Sequence, residues 1–273
     1  MSQLELQLEG PSGAPREAET VLETENLVKN FGGVAANQGI TIRVPARTFT
    51  TVIGPNGAGK TTLFNLISGV LRPTSGRVRF RGEDITGLPP HLVARRGLAR
   101  SFQITNIFPN LSVFENLRLA AQAQGRDSFR LLTRADGEAF RRYQNTAARV
   151  AEEVGLTARL ATPAGMLPHG DKRKLEIGIL LAAEPAMMLL DEPTAGMARE
   201  EIPGIIALLE RIRAAGSCTI MMVEHKMDVV MNVSDVIMVL KEGRLIAQGA
   251  PAEVAADPVV QEAYLGGGLS RAE

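Results

Sequence analysis

The chain reads as an α/β protein, a mainly parallel sheet covered by helices on both faces, with a mostly helical segment inserted into it. Three observations predict this. From residue 187 onward, short apolar runs alternate with stretches of helical spacing, the signature of strand–helix units that build a parallel sheet. Nearer the start, a glycine-rich loop, Gly54-Pro55-Asn56-Gly57-Ala58-Gly59-Lys60-Thr61-Thr62, joins a short apolar strand to an amphipathic helix. Between these regions, residues 112–157 carry no strand signal and are rich in helix formers.

In chain order, residues 1–20 hold four glutamates and no apolar core of a signal segment, and read as a flexible polar tail. Strand-like spacing starts at Val21, with Leu22, Leu27 and Val28, and a second strand runs over 40–44. Phe49–Ile53 is a buried strand, and 61–71 form a helix with Leu63, Leu66 and Ile67 on one side. Val78 and Phe80 alternate with arginines after the turn Pro73-Thr74-Ser75-Gly76. Pro89-Pro90 open a short helix ending near Gly97, and 98–102 form another strand. Val113, Leu117, Ala120, Phe140, Ala147, Val150 and Val154 supply the apolar spacing of the helical segment. Then follow a helix over 171–183, strands over 187–190, 219–223 and 236–240, helices ending at Ala215 and Asn232, and a hairpin at Gly243 into 244–248.

Composition narrows the function classes. The chain has 273 residues, enough to bury a sizeable core. Its 30 Lys plus Arg balance 30 Asp plus Glu, so no net basic field favours nucleic acid, and no nucleic-acid partner is expected. Cys218, the sole cysteine, lies in an apolar run and reads as a reduced core thiol. No apolar run reaches the ~18–20 residues of a membrane-spanning helix, so any business at a membrane passes through a partner.

The chemistry concentrates in a few places. The loop at 54–62 follows the phosphate-binding pattern of a glycine, four variable residues and Gly-Lys-Thr. Glycines let backbone N–H groups converge on phosphates while the following helix presents its positive end. Lys60 would lie along the β- and γ-phosphates of a nucleoside triphosphate, and the Thr61 hydroxyl would complete a Mg²⁺ shell. The run Met187-Met188-Leu189-Leu190 ends in Asp191 and Glu192, which delivers both acids to the carboxyl edge of the sheet, where α/β folds bind ligands. Asp191 then holds Mg²⁺ and Glu192 polarises the attacking water; the bland alternative is a solvated acidic turn. His225, just past the strand at 219–223, is placed to donate to a γ-phosphate, or is a neutral structural donor. Gln103 is a contact for Mg²⁺ or water, or a surface glutamine. The run Lys172-Arg173-Lys174 reads as a solvated helix face.

Together these segments resemble the nucleotide-binding subunit of an ATP-binding cassette transporter, from about residue 21 to 266. The resemblance implies a P-loop NTPase core, an N-terminal antiparallel β subdomain and an inserted α-helical subdomain at about 104–184, with tails at 1–20 and 267–273. It assigns the family's phosphate loop to Gly54 through Thr62, its glutamine loop to Gln103, its magnesium aspartate to Asp191, its catalytic glutamate to Glu192 and its switch histidine to His225. Thr194-Ala195-Gly196-Met197 matches the short loop after the glutamate. Phe31 matches the aromatic that stacks on adenine; a core residue at a strand end is the alternative. The family signature Leu-Ser-Gly-Gly-Gln is here Leu167-Pro168-His169-Gly170-Asp171. Proline has neither hydroxyl nor N–H, so a hydrogen bond to the γ-phosphate of the opposite subunit is lost. That loss weakens the closed dimer by roughly 1.5–3 kcal/mol. The amides of His169, Gly170 and Asp171 remain as an anion site, and His169 is either a substitute donor or an exposed turn residue.

Arg100-Ser101-Phe102-Gln103, residues 108–117, Leu175-Glu176-Ile177-Gly178, Ala195-Gly196-Met197 and the ending from Asp257-Pro258-Val259 to Gly266 are similar to the importer ATPases for branched-chain amino acids. Urea and short-chain amide importers are closely related. The resemblance implies a peripheral subunit on the cytoplasmic face of the inner membrane, beneath transmembrane permease subunits. It would pair with a second identical or paralogous ATPase and be served indirectly by an extracytoplasmic solute-binding protein. Ile104, Ile107 and Phe108 are candidate docking residues, or ordinary packing. A soluble cassette ATPase unconnected to transport is the alternative from another class.

Overall fold

The computed structural model describes residues 19–101, 107–123 and 137–265. Strands β1 (Thr20–Phe31) and β2 (Val34–Pro45) pair antiparallel, and β1 also pairs with β4 (Ser75–Phe80), which carries the short β5 (Glu83–Asp84). This four-stranded sheet has the order β2-β1-β4-β5. The second strand is longer than the expected 40–44, because Ala35 and Asn37 continue the ladder opposite Asn30 and Lys29.

Between β2 and β4 the chain forms β3 (Phe49–Ile53) and helix α1 (Lys60–Ile67). The helix stops short of the expected residue 71 at Gly69, whose φ of +75° favours glycine. A Cβ there would lie 2.1 Å from the Leu88 carbonyl oxygen. Next come α2 (Pro90–Arg95), β6 (Leu98–Arg100), α3 (Val113–Ala123) and α4 (Glu138–Glu153). Then α5 (His169–Ala182) leads into β7 (Met187–Asp191), α6 (Ile202–Ala215) and β8 (Thr219–Val223). The described chain closes with α7 (Met227–Val233), β9 (Val236–Lys241), β10 (Arg244–Gly249), α8 (Pro251–Ala256) and α9 (Pro258–Leu265).

The second sheet has the order β10-β9-β3-β8-β7-β6. All its pairings are parallel except the β9–β10 hairpin. Its inner strands are apolar on both sides, as a sheet covered on both faces requires. Met188, Leu190, Ile220 and Met222 face a core shared with α3, α4, α5 and α6. Met187, Leu189, Met221 and Val223 face a core shared with α1 and the antiparallel sheet. The helices at 113–182 therefore pack on one face of the central sheet. Gly178 permits a close approach of α5 to α3, since a Cβ would sit 3.0 Å from Leu117. Among the described residues no helix is long and apolar enough to cross a membrane.

For the site, the order of three neighbours matters most. β3 lies beside β8, and β8 beside β7, all parallel, with Val52 opposite Val223 and Val223 opposite Asp191. Whatever follows these three strands emerges together at one edge.

Candidate functional site

The loop after β3 is shaped by glycines that nothing else could replace without strain. Gly54 and Gly59 have φ of +150° and +95°. A Cβ on Gly54 would lie 2.1 Å from the Leu240 carbonyl oxygen, and one on Gly59 would lie 2.3 Å from that of Ala36. Asn37 Nδ2 donates to Gly59 O at 3.2 Å, and Gly243 N–H donates to Ala58 O at 3.1 Å. The antiparallel sheet and the β9–β10 hairpin thus both buttress the loop. Lys60 is buried and folds back, its Nζ donating to Gly54 O at 2.7 Å and Pro55 O at 3.0 Å. Burial pulls its pKa below the ordinary lysine value, against the opposing pull of Glu192 and Asp191. Thr61, next on the helix, is exposed.

Asp191, at the end of β7, is 3% exposed and pairs through Oδ2 with Arg100 Nη2 at 3.2 Å, itself 6% exposed. Arg100 Nη1 also donates to Asn65 Oδ1 and Ser68 Oγ, each at 2.7 Å. Burial pushes the Asp191 carboxyl up, and the guanidinium opposes that shift. Its Oδ1 is buried with no hydrogen-bond partner. A buried carboxylate oxygen left open, close enough to Lys60 for the two charges to attract, suits a hard cation. Among the described residues no group of three or more His, Cys, Asp or Glu is gathered. The donor set therefore fits Mg²⁺, which takes few protein ligands and completes its shell with phosphate and water; it does not form an all-protein cage.

Glu192 has φ of +48°, a left-handed conformation costing a residue with a Cβ about 1–3 kcal/mol. Its N–H donates to Val223 O at 2.9 Å, and its Oε1 lies 3.0 Å from His225 Nε2. Glu224, buried at the end of β8, accepts from Thr194 Oγ1 at 2.9 Å and from the N–H groups of His225 at 3.0 Å and Lys226 at 3.2 Å. Sequence reasoning gave Glu224 no role; an acid ending a buried strand was its only signal. The solvated acidic turn does not hold for Asp191, which is internal.

Two expectations about the segment at 167–171 are corrected. Helix α5 starts at His169 with Pro168 as its cap and no side-chain capping bond. The Gly170 N–H, expected to remain open to an anion, instead donates to Glu201 Oε1 at 2.9 Å. The run at 172–174 is not simply a solvated face. Arg173 is 13% exposed, and its Nε and Nη2 donate to Pro193 O at 2.7 Å and Glu192 O at 2.6 Å. Lys174 pairs with Asp171 at 3.2 Å. A cavity of about 350 Å³ between the start of α5 and the Glu192 turn is lined by His169, Lys172, Arg173, Asp191 and Glu192, among others.

The remaining expected residues divide. Phe31 is 47% exposed at the end of β1, with Lys29 Nζ 5.1 Å from the ring centre, so the core alternative fails. Phe108 is 57% exposed, while Ile107 packs against the core shared with α3 to α6. Gln103 and Ile104 lie outside the described residues, as does the tail at 1–18. Cys218 is buried and free, and burial pushes its thiol up to about 11.

A phosphate-loop motif and an acid pair at the ends of neighbouring parallel strands, beside an antiparallel sheet and a helical insert, define a nucleotide-binding ATPase cassette. The chain belongs to the ABC transporter family, which matches residues 37–195. Residues 244–269 match a second family, described as branched-chain amino acid ATP-binding cassette transporter. Similar proteins include the high-affinity branched-chain amino acid transport ATP-binding protein BraF of Pseudomonas aeruginosa, 39% identical and covering 90% of this chain and 98% of its own. LivG of Escherichia coli, with the same description, is 36% identical over 91% and 99%. Among solved structures, an ATP-binding cassette of an ABC transporter in its ADP conformation superposes with a TM-score of 0.78 at 34% identity, covering 90% and 99%. A nucleotide-free cassette gives 0.76 at 33% identity, covering 90% and 98%.

Proposed function

We propose that this chain is the ATP-hydrolysing subunit of an importer for branched-chain amino acids. Residues 21–266 act as one ATPase domain, with the helical subdomain at about 104–184. It sits on the cytoplasmic face of the membrane beneath permease subunits, beside a second identical or paralogous ATPase. An extracytoplasmic solute-binding protein supplies the cargo. The names of its relatives and the match at 244–269 support the cargo. The chemistry is carried by one observation: Glu192 Oε1 stands 3.0 Å from His225 Nε2 at the ends of neighbouring strands β7 and β8, next to the β3 loop that holds Lys60.

In this reading the loop from Gly54 to Thr62 and Lys60 bind the triphosphate of ATP, and Phe31 offers a face to the base. Thr61, Asp191 and Gln103 would hold Mg²⁺, which would neutralise charge on the phosphates when bound. Glu192 accepts the proton of the attacking water, and His225 keeps that carboxylate oriented and donates toward the γ-phosphate. The segment from Pro168 to Asp171 closes over the nucleotide of the partner subunit. Deleting this gene and measuring uptake of labelled leucine, urea and a short-chain amide tests the cargo. Loss of leucine uptake alone is expected; loss of urea or amide uptake with leucine intact would overturn the assignment.

A further inference from the structure

The carbonyls of the turn after β7 are held by cations from elsewhere in the chain. Arg173, in the second turn of α5, donates from Nε to Pro193 O at 2.7 Å and from Nη2 to Glu192 O at 2.6 Å. The same Nη2 stands 3.4 Å from Asp191 O, and Lys226 Nζ donates to Thr194 O at 3.1 Å. The fork is aimed by Glu176, whose Oε2 accepts from Arg173 Nη1 at 2.6 Å, and both side chains are largely buried. Glu192 is the left-handed residue of this turn, and such a conformation persists only where its surroundings enforce it. A planar guanidinium can reach two successive carbonyls at once; a lysine ammonium offers a point charge and no fork.

We infer that Arg173 is a positioning residue for hydrolysis: it clamps the Glu192–Pro193 main chain so that the Glu192 carboxylate stays at the sheet edge against His225. This rests on the proposed role of Glu192 as the base. The clamp has a second consequence. Arg173 shares a helix with His169 and Gly170, capped by Pro168, so displacement of that helix start pulls on the turn carrying Glu192. The segment that would face the partner's nucleotide is thereby tied to the hydrolytic carboxylate of its own subunit.

The test uses the full chain with Arg173→Met and Arg173→Lys. Amide hydrogen exchange is read without nucleotide at Glu192, Ala195 and Met197, whose N–H groups donate to Val223, Glu192 and Thr194 carbonyls. In Arg173→Met these three amides exchange about tenfold faster while those of β8 and the middle of α5 do not. kcat for Mg·ATP falls about 10- to 100-fold, as expected for a misplaced catalytic group, with KM changed less than about twofold. Arg173→Lys lies between. Unchanged exchange at the turn, faster exchange throughout α5 and β8, or a loosened turn with unchanged kcat each overturn the inference. A wild-type chain that turns over no Mg·ATP even with its permease and partner ATPase subunits present would instead overturn the proposed function, and the exchange data would still show whether the clamp exists.

Discussion

The two ends of the proposed nucleotide-handling surface are built by opposite means. At residues 54–62 the backbone is preorganised: glycines at positive φ, buttresses from Asn37 and Gly243, and a lysine already gathered over the loop. At 167–171 the backbone is compromised. Proline occupies the cap of α5, and a carboxylate from 31 positions downstream takes the Gly170 amide. An anion-binding loop needs converging donors that are free to donate. In the first region the engaged amide, Ala58 N–H, turns inward onto the loop's own Pro55 carbonyl at 3.1 Å; in the second, Gly170 N–H is taken by the Glu201 carboxylate at 2.9 Å. In the proposed dimer, the segment at 167–171 would have to exchange an internal carboxylate for a phosphate when a partner docks, a step the phosphate loop does not face.

The largest effect should come from the acid at the rim. Glu192→Gln keeps the length, the left-handed site and a polar contact to His225, but removes the proposed proton acceptor. A fall in kcat of about 10²–10⁴ is expected, with Mg·ATP binding by calorimetry unchanged. A variant hydrolysing at the wild-type rate would remove Glu192 from the chemistry. The variant also leaves ATP intact, which isolates the contribution of residues 167–171 to dimer closure.

Gly59→Ala strikes the preorganised end. Its Cβ would meet the Ala36 carbonyl at 2.3 Å and Asn37 Nδ2 at 2.7 Å, so the loop must shift away from the antiparallel sheet. Positive φ adds about 1–3 kcal/mol of strain for a residue with a Cβ. Mg·ATP affinity should drop about tenfold or more for such a loss, with thermal stability lowered. Affinity preserved in Gly59→Ala would mean that the loop's shape is not what binds.

How much of this was legible in the residues follows from where the partners lie. The strands over 49–53 and 219–223 emerged as expected, because continuous apolar runs bounded by polar residues admit few other readings. The acids at the end of β7 and the histidine after β8 were legible by the same logic, since a strand's end fixes where the next residue emerges. What stayed hidden was held by long-range bonds. Arg100 meets Asp191 across 91 positions, and Arg173 donates to carbonyls 19 and 20 positions away. Arg173's side-chain partner, Glu176 at i+3, looks in sequence like an ordinary surface helix pair, and its main-chain acceptors leave no mark on the sequence, so within a charged run it reads as solvated. Glu201 was hidden likewise, and with it the occupied amide of Gly170. The early end of α1 came from Gly69, a residue whose meaning depends on Leu88 lying against it.

The smallest effects should come from the compromised end, and they decide whether the contrast is real. In the Glu192→Gln background, Pro168→Ser returns an N–H and a hydroxyl to the cap of α5. In the free chain that hydroxyl can accept from the Gly170 or Asp171 amide, a capping bond worth about 1 kcal/mol, and so relieve Glu201 of its place. In the proposed dimer it can instead donate to the partner's γ-phosphate. Because it must choose, association with ATP should tighten by about 1 kcal/mol, below the roughly 1.5–3 kcal/mol of a full charge-assisted bond. Glu201→Gln should add a further 0.3–1 kcal/mol or about that, by removing a negative charge from a helix N-terminus where another anion must come. Sedimentation of both variants and their combination with Mg·ATP provides the measurement. Weaker association in Glu201→Gln would mean that the carboxylate supports the closed pair, and that the two ends of the surface are alike in being prepared for phosphate.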